Sequence, residues 1–520
     1  MIKKIGILFF ILFSASSFAQ SNFNFELIGH KPYPDSCLSS IWGYTANNIE
    51  YALVGTCSGV SIVNISDPAL PEVGFVPGAQ SIWREIKTWQ HYGYAVTEGG
   101  SGLTIFDMSQ LPTGPVPYQH FQFTGMDSIT NAHTIFIDEN GICFLFGASA
   151  FPGGQGYVAL DLNPNPMNPQ FIGNFGNFYI HDAYVKDNIM YAGAILNGFA
   201  AILDLSNIQN PTVLSTVYTP GNFTHNAWIN SQKSVMYTTD EVPSSFVTAY
   251  DISDPEFPVL LGGVRSSADS NSIPHNVHVV DDNWLAVSHY NKGVALIDAH
   301  KPDNMVFSGF FDTYPWNSDC CFVGAWGVYP YFNSNKWIIS DMRTGLWVVK
   351  PYFKRAAYLE GSIRDAISNQ PISNAKVHIQ YQHFQDTART YLDGSFKSGV
   401  GQGGQYLVSY SANGYISKSE ILNFIPTFTI TRNVKLLKEL PLSTDEYKTQ
   451  QIGLFPNPAT NFIQIDIPEN IHSYSIYSID GRLMQKGKDK NPHIHGLQAG
   501  IYSILIYTDS KMYSGRFVKK

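Results

Sequence analysis

Seven segments of the chain repeat one plan, and that repetition constrains the fold more than any other feature. Four carry a histidine at the same point: Asn131-Ala-His133-Thr-Ile-Phe-Ile, Tyr179-Ile-His181-Asp-Ala-Tyr-Val, Phe223-Thr-His225-Asn-Ala-Trp-Ile and Ile273-Pro-His275-Asn-Val-His-Val. Three carry tryptophan instead: Ser40-Ile-Trp42, Ser81-Ile-Trp83 and Gly324-Ala-Trp326. Each opens an alternating apolar run. A second run follows, and in most units a third ends in Asp before a polar turn, as in Ala201-Ile-Leu-Asp204 and Ala295-Leu-Ile-Asp298. The seven anchors are spaced by 41 to 51 residues, the length of a propeller blade. A three- or four-stranded unit cannot bury both faces alone, and a ring of such units covers each sheet with its neighbours. The spacing therefore predicts an all-β fold, a seven-bladed β-propeller over residues 22–351. Closure is expected from Phe25-Glu-Leu-Ile-Gly29, pairing as the outer strand of the last blade.

At 520 residues the chain exceeds what one core can hold, so further domains must follow. Charged residues make up only 14%, with 43 Gly and 29 Pro, which suits short strands and tight turns. A net charge of -9 gives no electrostatic reason to grip nucleic acid or an anionic membrane. Met1-Ile-Lys3-Lys4, the apolar run 5–13 and Ser14-Ala-Ser-Ser-Phe-Ala19 form the three parts of a secretory signal peptide over 1–19. No later stretch is long and apolar enough for a transmembrane segment. Cysteines 37, 57, 143, 320 and 321 are odd in number for an exported chain. A Cys37–Cys321 bridge would staple the closing seam. Cys37 with Cys57, a vicinal 320–321 pair and buried free thiols are the alternatives.

The phrases Val60-Ser-Ile-Val-Asn-Ile-Ser-Asp-Pro68 and Val247-Thr-Ala-Tyr-Asp-Ile-Ser-Asp-Pro255 resemble the LVIVD repeat, and residues 30 to 350 resemble the choice-of-anchor B family of bacterial surface propellers. That resemblance implies export and display, without a defined activity. Residues 356–437, with Leu359-Glu-Gly-Ser-Ile-Arg-Asp365 and Thr390-Tyr-Leu-Asp-Gly-Ser-Phe396, resemble the carboxypeptidase regulatory-like domain, a prealbumin-like β-sandwich. A polar linker over 438–451 precedes residues 452–520. There Leu454-Phe-Pro-Asn-Pro-Ala459, Tyr474-Ser-Ile-Tyr-Ser-Ile-Asp-Gly481 and Leu497-Gln-Ala-Gly-Ile-Tyr502 resemble the type IX secretion C-terminal sorting domain, a small β-sandwich. It implies the type IX machinery as a partner, a Bacteroidota-type cell, and travel through the periplasm to the surface or beyond.

First strands of a propeller run beside its channel, so His133, His181, His225 and His275 should converge at one mouth. Neutral imidazoles on a common axis suit a transition metal ion as cofactor. The plainer alternative has each histidine topping its strand and bonding a loop carbonyl. Trp42, Trp83 and Trp326 should form an aromatic wall beside them, fit to stack a sugar or another flat extracellular ligand. Asp182, Asn226 and Asn276 follow the histidines directly and should point to the opposite face. His278 and His289 are expected to be structural. Glu98, Asp240, Glu241 and Asp341, near the ends of second strands, are expected as solvated loop carboxylates or as partners of the ring. No Gly-rich phosphate loop, His-Glu-x-x-His helix or Gly-x-Ser-x-Gly elbow is present. The sequence thus supports an exported binding propeller. The alternative is a metal-dependent hydrolase or oxidoreductase using a metal-bound water.

Overall fold

The computed structural model describes residues 21–34, 37–122, 130–148, 155–265, 272–315, 322–381, 387–439, 449–508 and 511–520. The signal-peptide reading for 1–19 and Cys320 and Cys321 lie outside them, as does most of the expected linker. No α-helix occurs among the described residues; one short 3-10 turn, Pro302–Asn304, interrupts the strands.

Seven antiparallel sheets succeed one another along residues 25–351. Each of the first six contributes four consecutive strands, over 38–77, 84–121, 134–175, 182–218, 224–264 and 277–311. The seventh has three strands from 325–351, and its outer place is taken by Phe25–Lys31, paired antiparallel to Gly345–Pro351. That is the closure expected from the sequence. Two further residues, Asn22–Phe23, add a fifth strand to the sixth blade.

Seven blades in a closed ring have seven interfaces, and each is an apolar cluster. Tyr51, Leu53 and Ile62 meet Ile86 and Phe106 between blades 1 and 2. Around the circle, Trp284 and Leu296 meet Trp337 and Val349 between blades 6 and 7, and Ile338 and Val348 meet Ala52 and Val54 across the seam. Burying about 25 cal/mol per Å² of apolar surface on both faces of every sheet holds the ring shut. Blades 1 and 3 to 7 share a β-bulge, one extra residue in the outer strand, as between Ala159 and Leu160. At the residue after the bulge a glycine often lets the neighbouring element press in. A Cβ on Gly309 would lie 2.8 Å from the Phe23 carbonyl, so Gly309→Ala should displace the fifth strand, read as lost amide protection at residues 22–23.

The recurring Asp at the end of the third strands has a local cause. Its Oδ1 accepts the backbone N–H two residues on, from Ser109, Asn163, Ser206, Ser253 and His300 at 2.8 to 3.0 Å, an Asx turn that fixes the following loop.

Of the cysteine pairings the sequence left open, the structure shows the one within blade 1 and not a Cys37–Cys321 staple. Cys37 is bonded to Cys57, with their Cα atoms 5.5 Å apart. Leu38 pairs with Thr56 across the first hairpin of blade 1, which sets the two flanking cysteines side by side. Cys143 is a buried free thiol between blades 2 and 3.

Residues 357–436 form two sheets, of three and four strands, around a core of Leu359, Val377, Phe396, Tyr410 and their neighbours. Phe23 from the chain start belongs to this same core. Residues 438–520 form a separate unit whose five-stranded sheet packs on Leu454, Ile463 and Ile494.

Candidate functional site

Successive blades bring the four histidines into one continuous arc. Ring centroids of His133 and His181 are 4.1 Å apart, His181 and His225 4.3 Å, and His225 and His275 4.2 Å. Trp326 follows at 5.0 Å from His275, and Trp83 lies 6.1 Å from Trp326. Trp42 stands apart from these two. Its strand begins at Leu38 and carries a bulge before Ile41, so Trp42 falls deeper, against Tyr329 and His278 with Lys87 Nζ 4.2 Å over its ring.

The same irregularity corrects the expected facing of the residues after the histidines. A register shift between Thr224 and Asn226 places His225 in a bulge, and another between Ala325 and Gly327 does so for Trp326. Alternation is therefore broken at the anchor. Asp182 and Asn276 line the same hollow as the imidazoles, and with Asn226 and Glu85 they form a polar belt beneath it. Asn226 Nδ2 donates to Asp182 Oδ2 at 2.7 Å, so the inter-blade bonding expected of them is present as well. His278 lines the deeper level.

Of the four carboxylates, two join the ring and two do not. Glu98 and Glu241 are the first residues after the second strands Tyr92–Thr97 and Val235–Asp240. Glu98 Oε1 lies 2.6 Å from His133 Nδ1. Glu241 Oε1 lies 3.7 Å from His275 Nε2, and its Oε2 lies 4.0 Å from His225 Nε2. Asp240 instead bonds Thr219 and the backbone N–H groups of Gly221 and Phe223, and Asp341 bonds Thr313, Arg343 and Thr344. Both fasten loops, and neither is a solvated carboxylate. Tyr290, which sequence reasoning did not single out, donates its hydroxyl to Glu241 Oε1 at 2.5 Å. It does so from a backbone φ of 40°, held by mutual hydrogen bonds with Ala325. A bulky residue pays a steric cost there, the kind of strain that collects at functional sites.

The protonation states follow from these contacts. His275 Nδ1 lies 2.6 Å from the Trp326 carbonyl, so it carries the proton and leaves Nε2 with a lone pair. The carbonyls of His225 and His275 act on the imidazoles of His181 and His225 in the same sense, though at geometry too poor for a full hydrogen bond. Burial, and then the neighbouring imidazoles, hold His181 and His225 well below the usual histidine range. Burial takes His275 down to about 3. At neutral pH these are uncharged rings. Burial pushes the Glu241 carboxyl up to about 7, against the Tyr290 hydrogen bond that favours its ionised form. Near neutral pH Glu241 is thus divided between acid and carboxylate, and its Oε1 faces the His275 ring lone pair across 3.7 Å.

His225, Glu241 and His275 each offer a ligand atom within 4.8 Å of the others. The hollow that the four imidazoles share with Trp83 and Trp326 encloses about 10 Å³. That is room for one water-sized body and no more.

Comparison with known proteins bears on the chain's end. Residues 453–520 match the family model of the secretion system C-terminal sorting domain. The sorting domain is an address for the type IX exporter, so the chain is a cargo of that machinery, destined for the cell surface or the outside. Among the described residues no helix is long and apolar enough to cross a membrane. No curated protein matches the chain. Among solved structures, the computationally designed Ika8 protein is similar over 63% of this chain and 99% of its own, at 10% identity and a TM-score of 0.41.

Proposed function

We propose that the protein is an exported binding propeller that holds one divalent transition-metal ion at its mouth, on His225 Nε2, His275 Nε2 and the Glu241 carboxylate. One observation carries the reading: a half-buried carboxyl group and two neutral imidazoles converge, with Tyr290 bonded to one carboxyl oxygen. A cation at that point would take the place of the Glu241 proton and be held by all three groups. Two histidines and one carboxylate form a donor set that suits Fe, Mn, Co or Zn. Neutral imidazoles are the ligating form, and the Nδ1–H of His275 bonded to a carbonyl is the outer contact that orients such a ligand. His181 and His133 stand next along the arc, and His181 is the nearer candidate for a fourth donor. Domain division as 22–351, 356–437 and 452–520, and membership of the choice-of-anchor B and carboxypeptidase regulatory-like families, belong to the same proposal. The second of these domains serves as a spacer.

The hollow beneath the imidazoles, lined by His225, His275 and the two indoles, holds no more than one water, which on that side favours binding over catalysis. Elemental analysis of mature protein prepared without chelators is expected to find about one equivalent of metal. His225→Ala/His275→Ala should reduce it to background with the unfolding midpoint of the metal-free protein little changed. Equal metal in both proteins, or none in the parent after reconstitution with Zn, Mn or Fe, defeats the reading.

A further inference from the structure

We propose a second binding site, for a small organic anion with a flat apolar body, in the crevice between the propeller and the β-sandwich. The crevice encloses about 450 Å³, within the range of small-molecule sites. One wall comes from the outermost strand of blade 5, Val259–Val264, with Arg265 and the turn of blade 6. The other comes from the sandwich's edge strand, Thr387–Arg389, and from Lys397–Val400.

Its floor is apolar: Val264, Met305 and Phe307 from the propeller, Ile379 and Val400 from the sandwich, all buried. Its charge is positive. Lys397 is neutralised by Asp303. Arg265 and Arg389 have no carboxylate partner among the described residues, in a chain whose net charge is -9. Arg265 lays its guanidinium over the Phe246 ring at 4.9 Å, and its Nε is shut off from solvent without a hydrogen-bond partner. Arg389 is oriented by Asn374 Oδ1 at 2.9 Å. Two planar forks lining one crevice, one of them over an aromatic face, suit a carboxylate, sulfate or phosphate joined to a ring.

Slack packing does not explain the space, because the two domains are fastened around it. Lys301 and Asn304 both bond Glu360, at 2.9 and 3.0 Å, and Asn304 also bonds the Ser398 carbonyl.

The test is calorimetric titration of the full mature chain with 2-naphthoate, 2-naphthyl sulfate and 2-naphthyl phosphate, and with uncharged 2-methoxynaphthalene. At least one anion should bind and the neutral probe at least tenfold more weakly. Which anion binds best identifies the head group. Arg265→Gln and, separately, the exposed Arg389→Gln should each weaken that anion tenfold or more. His275→Ala should leave it unchanged, separating this crevice from the mouth. Absence of binding by all three anions overturns the proposal. So does equal binding of the neutral probe, or unaltered affinity in Arg389→Gln, whose site at the surface keeps the fold intact.

Discussion

A His278→Phe variant is expected to lose about 2 kcal/mol less stability than the parent when the pH falls from 7 to 5. His278 is buried, with burial first and then Lys87 and His275 taking its pKa down to about 3. In the unfolded chain it returns to the ordinary value of 6.5. Between those two values the unfolded state binds a proton that the folded state refuses, so stability rises with pH across this window and is lost on acidification. His275 behaves alike, and His181 and His225 shift in the same direction. Five carboxyls among the described residues oppose them: burial raises Asp138, Asp312 and Asp341 as well as the next two. Glu241 is raised to about 7 and Asp182 to about 6, both chiefly by burial, so the folded state holds their protons more tightly and they favour folding as the pH falls. The His278 variant isolates the share of one histidine in this balance. Urea midpoints of metal-free protein at the two pH values measure it. Phenylalanine suits the place, since His278 lies among the rings of Trp42, Trp228 and Tyr331. An unchanged pH dependence in the variant would mean that His278 titrates normally in the fold.

His278 also shows why the site was only partly legible in the sequence. The ring of histidines could be read because one residue recurs at one phase of a repeat, and a propeller turns equal phase into equal height. Closure by residues 25–31 was legible for the same reason, as an outer-strand phrase without its blade. What the repeat hides is the bulge. A single extra residue, His225 in blade 5 or Trp326 in blade 7, moves the next side chain onto the channel face, and an earlier bulge in blade 1, between Leu38 and Ile41, drops Trp42 a level below Trp83 and Trp326. Glu241 could be named but not ranked, because a carboxylate after a second strand looks solvated until the fold places His225 and His275 over it. Tyr290 left no mark, since a positive φ at tyrosine is invisible to pattern. The Cys37–Cys57 bond depended on which neighbour lay nearer, and the hairpin pairing of Leu38 with Thr56 decided it within one blade.

Asp298→Ala is expected to destabilise the 1–437 unit by about 3–5 kcal/mol, the range for breaking a buried ion pair by removing one partner. Asp298 is the repeat Asp of blade 6, yet unlike its counterparts in blades 3 to 5 it has no solvent exposure. It accepts the turn N–H of His300 as those residues do in their own turns. In addition Arg355 Nη1 reaches its Oδ1 at 2.8 Å, and the N–H of Ala356 reaches its Oδ2 at 2.9 Å. Arg355 is steered there by lying 4.7 Å over the Trp284 ring. The residue that ends a blade thus also anchors the first residues of the sandwich. Alanine leaves two backbone donors and a guanidinium without their acceptor, whereas Asp298→Asn keeps the volume and one oxygen and should cost less. The chain between Pro351 and Ala357 should become the first site of limited proteolysis in Asp298→Ala, because those backbone bonds hold it down. Metal content at the mouth should not change, since Asp298 touches none of the ring residues. A loss of less than about 1 kcal/mol would place this contact with ordinary exposed ion pairs and remove it as the joint between propeller and sandwich.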